Sequence, residues 1–410
     1  EPHLRYGVWW CSLWVPFAGR TARQLERVGS AMVNVLSVTD ATEASAAIFD
    51  GDLPERSSAG TGPAAVRLAE LTTLRVGGPA AEYVAASTTD AVIDAVSAAD
   101  AAGRPLLVLG GGSNLLVADV GFDGVVVRVA TRGIDVEDCD ACSGVTVRAA
   151  SGESWDGFVA HAVGQGWSGA EALSGVPGSI GATPMQNVGA YGQEVAETIV
   201  RVRTWDRQEG RVRTLAGADC EFGYRSSRLK EERFRDGPRF VVLEVTFRLT
   251  PGGLSAPVRY AELARTLDVL PGERAALPAV RDAVLALRRG KGMVLDDADH
   301  DTWSAGSFFT NPVLEAGDAQ RLPEQAPRWP TPDGRVKTSA AWLIEQAGFG
   351  RGYGLPGPAS LSTKHTLALT NRGDARAEDL LALARQVRDG VREACGVTLV
   401  PEPVLIGCAL

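Results

Sequence analysis

"GVPGSIGATPMQNVGAYGQEV", Gly175 to Val195, is a long segment rich in Gly, Ser and Ala and poor in long side chains. Backbone so thinly covered can approach a ligand closely, and successive N–H groups can converge on an anion. A second segment shares that property. Gly110, Gly111, Gly112, Ser113 and Asn114 follow directly on the buried-strand run "PLLVLG". Each segment alone reads equally well as a tight turn. Two of them in one half of the chain point instead to a large, extended ligand carrying a diphosphate.

The common nucleotide fingerprints do not account for them. GxxxxGK[ST] is absent, "RRGKGM" at 288–293 does not supply it, and no GxGxxG opens a helix after a strand. A nucleotide must then be held by a different fold, and a flavin dinucleotide suits a double cradle better than a mononucleotide does.

Outward from these loops the pattern is regular. Thr89 to Ala102 reads as a helix stopped by Gly103 and Pro105. Strand-like runs follow the second loop: "IVRVRTWD", "RVRTLA" and "FVVLEVTFRLT". Further helices are predicted at about 276–289, from about Lys337 to Ala347, and from Ala377 to Cys395. The last places Leu380, Leu383, Ala384, Val387 and Val391 on one face, the stripe of a helix packed on a sheet. Upstream, "RYGVWWCSLWVPFAG" weakly resembles a leader but lacks a small-x-small site. Residues 1–60 read as a poorly ordered extension, joined through the linker-like "ERSSAGTGPAA".

Composition narrows the function classes. A chain of 410 residues, 45% hydrophobic and 22% charged, is globular and long enough for two or three domains. No apolar run is long enough to cross a bilayer. The net charge of -9 and the dispersal of Lys and Arg disfavour a nucleic-acid surface. Six cysteines (11, 139, 142, 220, 395 and 408) are scattered as in reduced intracellular proteins. Only "CDAC" at 139–142 has a metal or redox spacing, and it reads as a loop between strands. Four histidines and no HExxH leave no catalytic metal site in prospect.

One hydroxyl stands out. Ser307 in "WSAGSFFTNP" lies between a glycine and two phenylalanines, surroundings that would dry it. It reads either as a turn cap, with Gly306 and Asn311 nearby, or as a group with chemical work.

The succession "LRVGGPA", "VLGGGSNLLV", "GVPGSIGATPMQNVGAYGQEV", "CEFGYRSSRLK", "AGSFFTNPV", "KTSAAWLIEQAGF", "STKHTLALTN" and "LVPEPVLIG" closely resembles the UDP-N-acetylenolpyruvoylglucosamine reductase family, from about residue 65 onward. The resemblance implies an α+β fold. It comprises a vanillyl-alcohol-oxidase/PCMH-like FAD-binding domain of two subdomains and a C-terminal α/β substrate-binding domain. The boundaries would be 61–285 for the FAD region and 286–399 for the substrate domain, with 400–410 returning to the former as a last strand. It also implies NADPH as reductant, a UDP-sugar substrate, and reduction of the enolpyruvyl ether to UDP-N-acetylmuramate. The setting would be cytoplasmic peptidoglycan synthesis, serving cell-wall biogenesis, cell shape and cell division; no nucleic acid, membrane or metal takes part. A monomer is expected.

Residue by residue, the resemblance places catalysis on Arg225, Ser307 and Glu402. It places FAD on Gly110, Gly111, Gly112, Ser113, Asn114 and Leu115 from the first loop. Ser174, Gly175, Pro177, Gly178, Gly181, Ala182, Asn187 and Tyr191 would hold it from the second. Tyr260 matches the tyrosine of the branch that clamps the substrate diphosphate; Lys291, Asn311 and His365 match substrate positions. Two departures stand out: the usual "EPE" is here Val400-Pro401-Glu402, and Val404 replaces the usual Arg.

The chemistry asks for these residue types. An enol ether accepts hydride only if its carboxylate becomes an electron sink, which a fixed guanidinium (Arg225) and a hydrogen-bonding or protonated carboxyl (Glu402) can provide. The enolate then needs a proton, and a hydroxyl in a water-poor pocket (Ser307) can give one. On sequence alone, Arg225 also reads as a surface ion pair, Lys291 as a solvated helix end, Tyr260 as core packing and Glu402 as an exposed strand entry. Two other functions compete: an FAD-dependent hydroxy-acid or alcohol oxidase or dehydrogenase, and a non-catalytic nucleotide-binding scaffold. Neither glycine loop has the His that would attach flavin covalently.

Overall fold

Near-continuous valine runs build the first sheet. In β4 (Phe122–Val129), Val125, Val126 and Val127 are all buried, as in a strand covered on both faces. β4 lies between β1 (Ala80–Ala86) and β2 (Leu106–Leu109), parallel to both. Alternation then assigns the faces. Val125, Val127 and Val129 pack with Val92, Val96 and Ala99 of α1 (Thr89–Ala101), whereas Val126 packs with Leu68, Leu107 and Val117. The computed structural model that shows this describes residues 66–140 and 144–410. The expected extension 1–60 and its linker, Cys11 and Cys142 lie outside the described residues.

The second sheet is antiparallel. Its order is Arg211–Ala216, Ile199–Asp206, Phe240–Pro251, β6 (Gly144–Ala150) and β5 (Ile134–Asp140). Val145, Val147, Ala149, Phe240, Val245 and Phe247 bury one face against Trp155, Phe158 and Val159 of α2 (Trp155–Gly164), which starts on Ser154 capping Gly157. The strand Phe240–Pro251 serves both cores, since Val241 and Leu243 join the first. Cys139, in β5 and exposed, faces Val145 rather than standing in a loop.

A third core gathers Phe308, Phe309, Leu343, Ile344, Leu361, Leu369 and Leu380, and draws in Leu74, Val76 and Leu116. The helix Ala377–Cys395 has the predicted bounds, and its five stripe residues are buried against a two-stranded sheet and a neighbouring helix. Two expectations need correction. The helix predicted from Lys337 starts at Ala340: Val336–Lys337 pairs as a strand with Val313–Leu314, and the Ser339 hydroxyl accepts the N–H of Trp342. A helix at Ala261–Leu267 was not predicted; Tyr260 directly precedes it, with extended backbone, as its N-cap residue. The helix Leu277–Gly290 runs across position 285. Strand Val404–Ile406 pairs in parallel with β3 (Leu115–Val117), immediately after the first glycine loop. Among the described residues no helix is long and apolar enough to cross a membrane.

Candidate active site

At the end of β2 the chain enters Gly110–Asn114, and the two glycine segments meet there. A side chain on Gly111 would put its Cβ 2.7 Å from Gly178 Cα, and one on Gly112, at φ +63°, would strike the Leu71 carbonyl. The Ser113 hydroxyl donates to Pro177 O at 3.1 Å, tying the loops together. Among the described residues, the N–H groups of Gly111, Gly112, Ser113 and Asn114 have no acceptor within the protein. Backbone donors without acceptors in a tight glycine turn form an anion cradle. Beside them opens a cleft lined by Val108, Gly110, Ser179, Gly181, Ala182 and Val242. An apolar trough next to unpaired N–H groups fits a flat, diphosphate-bearing cofactor.

Other residues of the second segment hold the scaffold. Ser174 is fully buried and donates to Glu171 O; Gly175 N–H goes to Asp156 Oδ1 at 2.6 Å; Gly181 N–H goes to Ser151 O at 2.8 Å. The buried Asn187 side chain is fully engaged, donating to Glu194 Oε2 and Gly223 O and accepting from Ala196 N–H. Tyr191 stands with its ring edge-on to Tyr260 at 5.4 Å and 5.5 Å from Lys291 Nζ.

Asn114 links the first loop to the catalytic candidates. Its amide donates to Gln186 Oε1 at 2.7 Å and to Glu402 O at 3.3 Å, and its carbonyl accepts from Val404 N–H. Val404 is exposed and contributes backbone pairing. Glu402 N–H donates to Phe308 O at 2.8 Å, and Phe309 bridges to Pro401, so the Ser307 segment runs alongside Glu402.

Arg225 has a left-handed backbone (φ 55°), rare for a non-glycine residue. Its carbonyl accepts from Lys230 Nζ at 3.0 Å, and its guanidinium donates to Gly189 O at 3.0 Å and Asn187 O at 3.4 Å. Nε lies 2.9 Å from Glu402 Oε1, an ion pair whose N–H is not aligned for a full hydrogen bond. Burial pushes the Glu402 carboxyl above the usual carboxylate range, against the opposing pull of Arg225, Lys230 and Lys337. Burial lowers Lys230 and Lys337. Lys337 Nζ sits 3.6 Å over the ring of Tyr224, whose hydroxyl accepts from Asn311 N–H.

Ser307 is half-buried beside the fully buried Phe308 and Phe309, and among the described residues its hydroxyl makes no hydrogen bond. The turn cap in this segment is Ser304, which accepts from Gly306 N–H. Asn311 Oδ1 is occupied by Ala340 N–H at the start of the Ala340–Gln346 helix. His365 is half-buried within charge range of Lys291 and Arg351, and burial pushes its pKa down to about 4, so the ring is neutral at pH 7.

Residues 297–406 match the C-terminal domain of UDP-N-acetylenolpyruvoylglucosamine reductase, and residues 80–216 match an FAD binding domain. The chain is 58% identical over 347 residues to the UDP-N-acetylenolpyruvoylglucosamine reductase of Cutibacterium acnes, covering 84% of this chain and 90% of that one. The chain belongs to this reductase family. The family's enzyme from Saccharopolyspora erythraea is 59% identical over 356 residues, with 84% and 95% covered. A crystal structure of the reductase from Thermus caldophilus superposes with a TM-score of 0.55 at 26% identity, covering 83% of this chain and 97% of that one.

Several site residues escaped the sequence reading: Ser179 and Ser151 in the cleft, and Tyr224, Lys230 and Lys337 around the Arg225–Glu402 pair. Tyr224 adjoins Arg225 in "GYRSS", and a polar "SxxK" follows it, so adjacency was the available signal for two of them.

Proposed function

We propose that this protein is an NADPH-dependent flavoenzyme that reduces UDP-N-acetylglucosamine enolpyruvate to UDP-N-acetylmuramate for peptidoglycan synthesis, acting as a cytoplasmic monomer. Residues 61–285 would hold FAD, 286–399 the substrate, and 400–410 would complete the FAD side, a division supported by the pairing of Val404–Ile406 with β3. The unpaired N–H groups of Gly111 to Asn114 would take the FAD diphosphate, with the flavin beside the cleft of Val108 and Ala182. Bound FAD, once reduced by NADPH, supplies the hydride.

When hydride adds to the methylene carbon of the enol ether, the electron pair moves onto the substrate carboxylate. Arg225, fixed by two hydrogen bonds to backbone carbonyls and by its ion pair with Glu402, meets that charge without having to reorganise. Glu402, with its raised proton affinity, shares a proton with the carboxylate oxygens or braces the guanidinium. Ser307 Oγ, bonded to nothing else, delivers its proton to the carbon beside the carboxylate and is reprotonated from solvent. Lys291, neutral His365 and Tyr260 surround the place proposed for the substrate diphosphate; Asn311 holds the neighbouring backbone.

The observation that carries this reading is the meeting of Arg225, Glu402 and the Ser307 segment at the foot of the two glycine loops. The test is NADPH oxidation by purified, FAD-loaded protein. Turnover should require UDP-N-acetylglucosamine enolpyruvate, and its absence in flavin-loaded protein refutes the assignment.

A further inference from the structure

Lys291 is already occupied. Its Nζ lies 2.6 Å from Glu262 Oε2, with both side chains about one-third exposed. Lys291 is the C-cap of the Leu277–Gly290 helix, and Glu262 stands in the first turn of the Ala261–Leu267 helix, two residues after Tyr260. The pair therefore ties the two helix ends together beneath the Tyr191–Tyr260 contact. The neutral His365 lies within charge range of Lys291, Arg351 and Glu262, and Arg288 within that of Tyr191 and Asp156. Glu262 is the carboxylate that meets the Lys291 ammonium, and its hydrogen bond raises the proton affinity of Lys291 against the opposing effect of burial.

We infer that Glu262 is an internal anion that holds the Lys291 ammonium in the ligand-free protein and is displaced by the diphosphate of the substrate. It is thereby a specificity-determining residue. This rests on the proposed function, which assigns Lys291 to that diphosphate. A nucleoside diphosphate carries enough charge to outcompete one tethered carboxylate, whereas an uncharged nucleoside does not. Glu262 weakens binding of the correct ligand somewhat and keeps the lysine from recruiting weakly charged ones. Its departure also releases the first turn of the helix that follows Tyr260.

The experiment is calorimetric titration of FAD-loaded protein with UDP, and separately with uridine. Glu262→Gln should bind UDP about two- to fivefold more tightly than the parent, the span that a partly exposed ion pair is worth. The gain should shrink as ionic strength rises. Uridine binding should be the same in both. Glu262→Asp keeps the negative charge at the helix start but is one methylene too short to reach Nζ, so it should tighten UDP binding as Gln does. Equal or weaker UDP binding in Glu262→Gln overturns the inference, as does Glu262→Asp behaving like the parent, which would mark a helix-capping role. Equal tightening toward uridine also overturns it. If UDP binds to none of the proteins, the functional reading falls together with the inference; if UDP binds equally to all, only the inference falls.

Discussion

Replacing Ser307 with alanine separates its two readings, because they predict opposite changes in stability and activity. A capping serine would leave a backbone N–H unpaired when removed, at a cost of about 1 kcal/mol. Ser307 makes no hydrogen bond among the described residues and Ser304 does the capping, so Ser307→Ala should change stability by no more than about 0.5 kcal/mol. Loss of a positioned general acid costs roughly 10²-fold or more, equivalent to about 2.7 kcal/mol of barrier. Stopped-flow absorbance resolves the halves of the reaction. Bleaching of the flavin by NADPH should proceed at the parent rate, whereas reoxidation by the enolpyruvyl substrate should slow by that factor. Equal slowing of both halves, or a marked fall in melting temperature, would refute the assignment.

Arg225→Lys replaces a fork that spans Glu402 and two carbonyls with a point charge, so kcat should fall about 10²- to 10³-fold in the steady-state NADPH assay. Gly111→Ala forces a Cβ against Gly178 and parts the loops; the purified protein should lose most of its bound FAD, read from its visible absorbance. His365, with a folded pKa of about 4 against an ordinary 6.5, binds fewer protons folded than unfolded between those values. Its stabilisation is full above pH 6.5 and is lost as pH falls toward 4, up to ~3 kcal/mol. Denaturant titrations should therefore show a shallower acid-side loss in His365→Asn than in the parent.

The parts of the fold most legible in sequence were those where one residue type has one physical use. Glycines at 110–112 and 178 mark backbone that side chains would obstruct, and the stripe Leu380 to Val391 repeats over about three turns. Lys337 was misread because a two-residue strand has no period of its own, while "KTSAAWLIEQ" continues a helical composition backward past its true start; Ser339 was the cap that should have stopped it. The Arg225–Glu402 pair joins residues far apart in sequence, and no local pattern announces it; only the succession of family-like motifs brought the two together. The left-handed backbone of Tyr191 (φ 48°) accompanies a ring set beside Tyr260, a contact that no local pattern in the glycine segment announces. Glu262 left no trace because an ion pair between two helix ends depends on their packing.

The amide of Asn114 reaches the carbonyl of Glu402 across 288 positions of sequence. On a ribosome the first cradle emerges long before the segment that completes it, so FAD meets a half-built site throughout most of synthesis. Contacts so distant in sequence form late and slowly. Flavin loading thus reports on finished chains, and prematurely terminated ones should emerge colourless.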